Sequence, residues 1–546
     1  MFTSSRRGRG GGGARWVEPG RRRRRRLPVL PIVILVLLLA AGGAVAYVLN
    51  QRENDRAELR NTAVRFATAW EKGRPAAMFA ELDADARSKY TFKRFADDYR
   101  TANAEATVEQ VVVGRGSKTA DGKVTFPVAV RTKLFGTLRG RVALPVTRNG
   151  ERVGVRWRPY LRLPGLRPGE RVRRTIRARP QRASVLGADG RRLDREPTAQ
   201  SIAGRAPAEG DPGFGLEAAY NDRLAGRPSA ELRFGSRRIA ATKARRGRSV
   251  RSTIRPGLQR AAVAALGDRL GGIAVVRPRD GSVLALSGLA VSAPQPPGST
   301  FKIITAAAAL QGKAATLGSS YPVRTAATLS GVKLRNASDE SCGGSLTNSF
   351  THSCNSVFAP LGAKLGARKM VAAAERFGFN STARVPAAKP SVFPKDLKDS
   401  LAVGAASIGQ DRVLATPVQM AAVGATIANR GVYASPRIVR SDRVIRKRAV
   451  SRRVARQVRD MMLSVVRGGT GTAAAVPGVE VAGKTGTAEL RPTASGPQDP
   501  KNTDAWFVAF APAGAPQYAV AVMLVGQGQG GTTAAPLARQ VLQAAL

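Results

Sequence analysis

The sequence predicts an α+β protein with a membrane helix, a small α+β N-terminal domain, an extended pedestal and a larger C-terminal α+β domain. Three observations predict this class. One long apolar run carries no charge, the hydrophobic spacing switches from helical to alternating within the first third, and strands bracket the helices of the last half. The length of 546 residues suits three or four domains, and 43% hydrophobic residues suffice for their cores.

The first 49 residues predict a basic cytoplasmic tail and a membrane anchor. Residues 1–26 contain ten arginines and one glutamate, and residues 27–49 are 23 uncharged residues. Such a run can cross a hydrocarbon core of ~30 Å as one helix. Because positive charge stays on the cytoplasmic side, we expect a single-pass protein of the cell membrane, with its N-terminus cytoplasmic and the rest extracytoplasmic. A signal peptide cleaved after Ala44–Ala46 is the alternative, which the length of the run disfavours.

Residues 51–165 predict the small α+β domain. Apolar residues recur at helical spacing over Glu53–Glu71, and alternate with polar residues over Val108–Trp157. The pairs Asp121-Gly122 and Asn149-Gly150 divide the second stretch, as is typical of antiparallel hairpins.

Residues 166–250 are rich in arginine, glycine and proline, and they predict a pedestal or linker domain with little sheet. Residues 251–546 predict the large domain, an antiparallel sheet sandwiched by helices. Its predicted elements are a helix over Gly257–Leu270, strands over Ile273–Arg277, Ser282–Ser287, Ala505–Ala511 and Tyr518–Val525, and a helix after Pro536.

Composition excludes several classes of protein. The net charge of +52 would suit a nucleic-acid binder, but outside the tail it is diffuse. Aromatic residues are only 5%, too few for base-stacking platforms, so we expect no nucleic-acid partner. Two cysteines, Cys342 and Cys354, and the single His352 cannot build a zinc or haem site, and we expect no cofactor. The cysteines can form a disulfide or remain two free thiols.

The first motif with catalytic potential is Ser299-x-x-Lys302. A Pro-Gly pair precedes it and an alanine-rich helix follows it, so both side chains lie on one face of a first helical turn. A partly desolvated lysine can take the serine proton there. Alone the motif is weak, since an N-cap serine looks the same and Ser330-x-x-Lys333 matches it as well.

The second motif is Ser353-Cys354-Asn355. A hydroxyl and an amide two residues apart on a tight loop can face one cavity, where one relays a proton and the other holds a peptide group. An ordinary turn capped by Ser and Asn side chains is the alternative.

The third motif is Lys484-Thr485-Gly486-Thr487, in a stretch whose alternation predicts a strand. The lysine supplies positive charge, the threonine hydroxyls can hold a carboxylate, and Gly486 lets a ligand approach the backbone. An edge strand with a solubilising lysine is the alternative.

The order of the three motifs is more specific than any one of them. Ser353 follows Ser299 by 54 residues and Lys484 follows Ser353 by 131, the signature set of penicillin-recognising serine enzymes. The chain resembles the class B penicillin-binding proteins, most strongly over 255–546, and 51–165 resemble the nuclear-transport-factor-like domain of some members. Further stretches of the resemblance are Ile408–Gln410, Ala415–Met420, Ala428–Gly431, Gly468–Ala473, Trp506-Phe507 and, for the pedestal, Gly215–Glu217 with Tyr220. Arg182–Leu193 matches its family segment only loosely.

The resemblance implies a serine transpeptidase/β-lactamase-like fold and a peptidoglycan D,D-transpeptidase. Ser299 would attack the penultimate D-Ala carbonyl of a stem peptide, with Lys302 as the base. Ser353, helped by Lys484, would pass a proton to the departing D-Ala. β-Lactams would acylate Ser299 and leave slowly.

The resemblance also implies the substrate contacts. Asn355 would hold the peptide backbone, and Thr485 and Thr487 would bind the terminal carboxylate. The N–H groups of Ser299 and Thr487 would form the oxyanion hole. Gly486 would let the substrate approach the backbone closely. Expected partners are stem peptides ending in D-Ala-D-Ala, β-lactams, a membrane glycosyltransferase and other cell-wall synthesis proteins.

Other functions share these motifs. A class A β-lactamase needs a deacylating carboxylate, and Val385–Lys395 contains none. A bifunctional protein needs a glycosyltransferase domain, of which 51–250 show no pattern. A D,D-carboxypeptidase and a non-catalytic cell-wall scaffold or β-lactam sensor remain as alternatives.

Overall fold

The computed structural model describes residues 29–118, 123–150, 152–490 and 499–546, without the side chains of 29–46 and 118. The chain forms two compact units. The first comprises residues up to Thr175 together with Ala230–Thr242, and the second comprises Ile176–Ser229 and Lys243–Leu546. Within the predicted membrane segment 27–49, the structure describes side chains only for residues 47–49. Within the described part, no helix has both the length and the hydropathy needed to cross a membrane.

The first unit is an antiparallel sheet with helices before it in the chain. Its elements are α1 (Val29–Glu71), α2 (Pro75–Ala80), α3 (Ala84–Lys89), α4 (Phe92–Ala106), β1 (Val108–Val113), β2 (Ser117–Lys118), β3 (Lys123–Thr132), β4 (Gly136–Asn149) and β5 (Arg152–Val155). The strands pair in the order β1–β3–β4–β5, with β2 also on β3. The predicted helix Glu53–Glu71 and the alternating strands are confirmed. The predicted turn at 121–122 lies outside the described residues.

Aromatic side chains fill the core of the first unit. Trp157 is fully buried, and its Nε1 donates to Tyr99 Oη at 3.2 Å. Phe95 packs edge-on against Trp157 at 4.8 Å between ring centroids, and Trp70 meets Tyr99 at 6.2 Å. The hydrogen bond between Trp157 and Tyr99 satisfies the polar atoms of both rings, so that their apolar parts can be buried.

The middle of the chain contains more sheet than the sequence predicts. Its elements are β6 (Val172–Ala178), β7 (Val185–Leu186), α5 (Gln200–Ala203), α6 (Gly215–Ala219), α7 (Asn221–Ala225), β8 (Ser229–Phe234), β9 (Arg237–Thr242) and β10 (Val250–Arg251). β6, β8 and β9 form a sheet in that order, so the expectation of a sheet-poor segment is wrong. β8 buries Ala230, Leu232 and Phe234 at alternate positions. β8 is only six residues long, with Glu231 and Arg233 between its apolar residues, and so short an alternation does not identify a strand.

The second unit contains the larger sheet. Its elements beyond β10 are α8 (Pro256–Leu266), β11 (Gly271–Val276), β12 (Val283–Gly288), α9 (Lys302–Gln311), β13 (Ser320–Arg324), β14 (Ala326–Leu329), β15 (Val332–Arg335), β16 (Cys342–Ser345), α10 (Leu346–Thr351), α11 (Asn355–Leu365), α12 (Ala367–Arg376), α13 (Ser400–Ser407), α14 (Pro417–Ala428), β17 (Val432–Ala434), β18 (Arg446–Arg448), α15 (Arg452–Gly468), β19 (Ala482–Glu489), β20 (Thr503–Ala511), β21 (Tyr518–Leu524) and α16 (Ala534–Ala545). Five of these strands pair antiparallel in the order β12–β11–β21–β20–β19.

Both faces of this sheet are covered. On β20, Phe507 belongs to the apolar cluster that contains α8 and α16, whereas its neighbours Trp506 and Val508 belong to the cluster that contains α14. Every residue of α14 is buried, and a Cβ on its Gly424 would lie 2.9 Å from Val508. Successive strand residues point to opposite faces, so both helical layers are packed by the same strands. The predicted sheet sandwiched by helices is confirmed.

Candidate active site

Ser299 lies in a 3-10 turn, Gly298–Phe301, that leads directly into α9. Gly298 has a φ of +50°, and a Cβ there would come within 2.5 Å of the Thr487 carbonyl oxygen. Only glycine fits this close approach between the turn and β19. Phe301 is fully buried, and its ring stacks on that of Phe393 with 5.2 Å between the ring centroids. This packing anchors the turn in the apolar core. The Ser299 side chain is half-buried at the start of the helix.

Lys302 is fully buried one turn along, on the first residue of α9. Its Nζ donates to Ser353 Oγ at 3.2 Å, to Asn355 Oδ1 at 2.6 Å and to the Ser353 carbonyl oxygen. Lys302 Nζ also lies 5.8 Å from the ring centroid of Phe358. The first motif is therefore hydrogen-bonded to the second across 51 residues of sequence.

The Ser353–Asn355 loop is held in a constrained conformation. Ser353 has a φ of +62°, which is unusual for a residue with a side chain. Its neighbour Cys354 forms a disulfide with Cys342, so of the two states left open by the sequence the structure contains the bridge. Asn355 begins α11, and its Nδ2 donates to the Arg335 carbonyl oxygen at 2.7 Å. These contacts leave Asn355 Oδ1 to accept from Lys302.

Lys484 lies on β19, the edge strand of the sheet. The side chain is fully buried, and its Nζ donates to Ser353 Oγ at 2.8 Å and to the Thr485 carbonyl oxygen at 3.2 Å. A Cβ on Gly486 would lie 2.7 Å from the Pro297 carbonyl oxygen, so this glycine allows β19 to approach the segment before Ser299. The third motif thus meets the second at the Ser353 hydroxyl.

Burial of the two lysines sets the electrostatics of the site. Removal from water lowers the pKa of Lys302 well below its usual value, and the positive charge of Lys484 lowers it further. Burial also lowers the pKa of Lys484 to about 7. The lowered pKa favours the neutral form of Lys302, which can act as a base, while Lys484 is close to its titration point near neutral pH.

Two further groups complete the site, and the sequence reasoning gave neither of them a role. Thr470 Oγ1 lies 2.6 Å from Thr485 Oγ1, and the Gly530 N–H donates to Thr487 Oγ1 at 3.4 Å. Both orient the threonine hydroxyls of β19. The Gly468–Ala473 stretch was noticed only as part of the resemblance, and no local pattern marks Gly530.

Two protein-family models match the sequence. The family model "Penicillin binding protein transpeptidase domain" matches residues 271–543, and "NTF2-like N-terminal transpeptidase domain" matches residues 59–170. The chain belongs to the penicillin-binding protein transpeptidase family, and the resemblance in its sequence is confirmed.

Relatives of known sequence carry matching names. Peptidoglycan D,D-transpeptidase PbpA of Mycolicibacterium smegmatis is 35% identical over 399 residues, which are 61% of this chain and 79% of that protein. The protein of the same name from Mycobacterium tuberculosis is 37% identical over 297 residues, 49% of this chain and 58% of that protein. The aligned region thus spans less than two thirds of the second relative.

Solved structures share the fold. The D,D-transpeptidase domain of a peptidoglycan glycosyltransferase from Eggerthella lenta is 31% identical with a TM-score of 0.57, covering 68% of this chain and 99% of that one. The penicillin G acyl-enzyme complex of penicillin-binding protein A from M. tuberculosis is 28% identical with a TM-score of 0.57, covering 67% of this chain and 99% of that one.

Proposed function

We propose that this chain is a peptidoglycan D,D-transpeptidase that cross-links stem peptides through an acyl-enzyme on Ser299, and that β-lactams acylate the same serine. The observation that carries the proposal is the convergence of Lys302 and Lys484 on the hydroxyl of Ser353, beside the helical turn that presents Ser299. Family membership and the names of the relatives support the same reaction.

Acylation begins at the Ser299 hydroxyl. Neutral Lys302 accepts its proton as the oxygen attacks the carbonyl carbon of the penultimate D-Ala. The N–H groups of Ser299 and Thr487 stabilise the resulting oxyanion, and the N-terminal end of the helix at Ser299 adds favourable field. Collapse of the tetrahedral intermediate breaks the peptide bond and leaves an ester on Ser299.

The leaving D-Ala needs a proton on its nitrogen. Ser353 Oγ is within hydrogen-bond distance of both lysines, so it can donate its own proton and be resupplied from protonated Lys484. The amine of a second stem peptide then attacks the ester by the reverse route. This relay explains why both lysines contact one hydroxyl.

The edge of β19 is the proposed binding surface for the stem peptide. An extended peptide can add to an edge strand through main-chain hydrogen bonds. Thr485 and Thr487 would then hold the terminal carboxylate, Gly486 would leave room for the peptide backbone, and Asn355 would hold it from the opposite side. The hydrogen bond between the Thr470 and Thr485 hydroxyls orients that of Thr485.

The proposed setting is the outer face of the cell membrane. The uncharged run at 27–49 anchors the chain, arginines before it stay cytoplasmic, and the remainder works outside on peptidoglycan. We propose the division 1–26 tail, 27–49 membrane helix, 51–165 small domain, 166–250 pedestal and 251–546 transpeptidase domain. A membrane glycosyltransferase would supply the glycan strands.

The reaction is tested with a synthetic stem peptide ending in D-Ala-D-Ala and an amine acceptor. The full chain should release D-Ala and form the transfer product, and Ser299→Ala should do neither. The matched control is Ser330→Ala, in the other Ser-x-x-Lys stretch, whose exposed hydroxyl contacts only Ser400 within the described residues. Equal activity in all three proteins, or none in any, would reject the proposal and favour a non-catalytic scaffold or sensor.

A further inference from the structure

A second cleft lies in the second unit and shares no residue with the site around Ser299. Its volume is about 1360 Å³. Its walls are formed by residues 188–196, residues 251–260 at the start of α8, the turn between β11 and β12, residues 437 and 440, and the end of α16.

The lining of this cleft is strongly basic. Ten arginines line it against three carboxylates. Two of the carboxylates are already neutralised, since Asp280 pairs with Arg277 at 2.8 Å and Glu196 with Arg260 at 2.6 Å. Within the described part of the chain, the guanidinium groups of five lining arginines have no acceptor, namely Arg191, Arg195, Arg251, Arg279 and Arg440. The cleft therefore has uncompensated positive charge.

Two buried donors on the cleft wall lack partners. Ser252 is 1% exposed, and its Oγ has no hydrogen-bond partner among the described residues. The Nε of Arg437, a largely buried residue, is likewise unpartnered. A buried polar group without a hydrogen bond is unfavourable, and a ligand that reaches it from the cleft would supply the missing partner. Arginines that are merely solvated at a surface would not be accompanied by buried donors without partners.

The N-terminal end of α8 opens into the same cleft. Pro256, Gly257 and Leu258 form its first turn and line the cavity, and the N-cap residue Arg255 makes no side-chain capping hydrogen bond within the described part of the chain. The first N–H groups of a helix have no partner within the helix, and the helix dipole makes that end an anion site. The helix end, the free guanidinium groups and the Ser252 hydroxyl thus favour the same kind of ligand.

We propose that this cleft binds the phosphate groups of an extended polyanion, in addition to the chain's proposed transpeptidase activity. Guanidinium forks and helix N-termini are the protein groups that best match phosphate oxygens. The volume exceeds that of pockets for single small molecules, roughly 300–1000 Å³, so several phosphates fit. Among the described residues that line the cleft none is aromatic, which disfavours stacked bases, and Leu258 and Leu284 are too few to bind an acyl chain.

The test uses the full chain in detergent micelles and inorganic polyphosphate as the probe, with affinity measured by calorimetry across a salt series. The variant Arg191→Gln/Arg251→Gln/Arg440→Gln should bind at least about tenfold more weakly and show a shallower salt dependence. The control Arg453→Gln/Arg456→Gln/Arg539→Gln removes the same charge from exposed positions on α15 and α16 and should stay within about twofold of wild type. Unchanged labelling by a reporter penicillin verifies that both variants fold.

Equal weakening in the two triple variants would overturn the proposal, because it would mean general attraction to a chain of net charge +52. A second variant, Ser252→Ala, changes no charge and should weaken binding about three- to tenfold through one lost hydrogen bond. Unaltered affinity in that variant would also overturn it.

Two further probes distinguish the source of the phosphate. Inorganic phosphate alone should bind at least about a hundredfold more weakly than polyphosphate, because a single group engages few of the arginines. The cleft variant Arg191→Gln/Arg251→Gln/Arg440→Gln should bind vesicles of phosphatidylglycerol as tightly as the control triple variant does, because general attraction to an anionic surface does not depend on the cleft. Tighter binding to the anionic vesicles than to polyphosphate, lost in the arginine variant, would replace the polyanion by a lipid surface.

Discussion

In the candidate active site, two lysine side chains donate hydrogen bonds to the same serine hydroxyl. Lys302 and Lys484 are both fully buried, and their Nζ atoms lie 3.2 and 2.8 Å from Ser353 Oγ. Charging both amines would place two like charges together in a medium that solvates neither of them well. The lowered pKa values follow from this arrangement, and they permit one amine to act as a base while the other serves as an acid.

Lys302→Ala tests the base. Loss of a positioned general base costs about 10²–10⁴-fold, so the rate of acylation by a reporter penicillin should fall by that factor. The thermal unfolding temperature should stay near that of wild type, because the substitution removes a buried amine that burial already disfavours. A near-normal acylation rate would remove Lys302 from the mechanism.

The pH dependence of acylation tests the pair. The rate should rise with pH as Lys302 loses its proton, and should fall above about 7 as Lys484 becomes neutral. Lys484→Arg keeps the charge at all these pH values, so its profile should lose the alkaline fall while its maximum rate is lower. A wild-type profile that keeps rising to pH 9 would contradict the role of Lys484.

Asp504 gives an independent test of the buried environment beside β19. Burial raises its pKa to about 6, above the usual value near 3.8, and its Oδ2 has no partner among the described residues. The protonated form is favoured on folding, so the contribution to stability is complete at low pH and is lost as pH rises through about 6. Asp504→Asn should therefore raise the free energy of unfolding by about 1–2 kcal/mol at pH 8 and by less at pH 4. A difference in urea unfolding that does not change with pH would contradict this.

At the scale of elements, the disulfide joins β16 to the start of α11 and holds the loop that presents Ser353. It closes a loop of 12 residues. Cys342→Ser/Cys354→Ser should destabilise the unit by about 2–3 kcal/mol. Acylation should slow by about tenfold, since a hydroxyl misplaced by an ångström loses much of its effect.

The control is Ser345→Ala, which removes the cap of the neighbouring α10 and should lower stability without a comparable loss of rate. Equal rates in the two variants would show that the bridge does not position Ser353.

The elements also show what the sequence could predict. β20 and β21 were predictable because continuous apolar runs identify strands buried on both faces. The strand pair β13–β16 and the hairpin β14–β15 were not, since their residues are mostly exposed and carry no clear alternation.

The same distinction holds for the site. Its three motifs were visible in the sequence, yet their contacts join residues 51 and 131 positions apart. Only the fold brings such distant positions together, and local patterns contain no information on that register. Thr470 was overlooked for this reason, because its hydroxyl acquires meaning only beside Thr485.

At the scale of the whole molecule, membrane attachment is the prediction with the clearest test. After alkaline carbonate extraction the full chain should remain with the membrane fraction. Ile34→Arg/Leu38→Arg places two charges in the apolar run, each costing about 3 kcal/mol at the centre of a bilayer, and should move the protein to the supernatant. The control Ile445→Arg adds charge at an exposed position in the C-terminal part of the sequence and should leave the protein membrane-bound. Release of the wild-type chain by carbonate would contradict a retained anchor.

The most direct measurement of the account is the site of acylation by a reporter penicillin in the full chain. Digestion and mass spectrometry should locate the adduct on the peptide that contains Ser299, with one label per chain. Ser299→Ala should show no label, and Ser330→Ala should label as wild type does. An adduct on another residue, or undiminished labelling of Ser299→Ala, would contradict the central claim that this turn, its buried lysines and the edge strand form one acylating site.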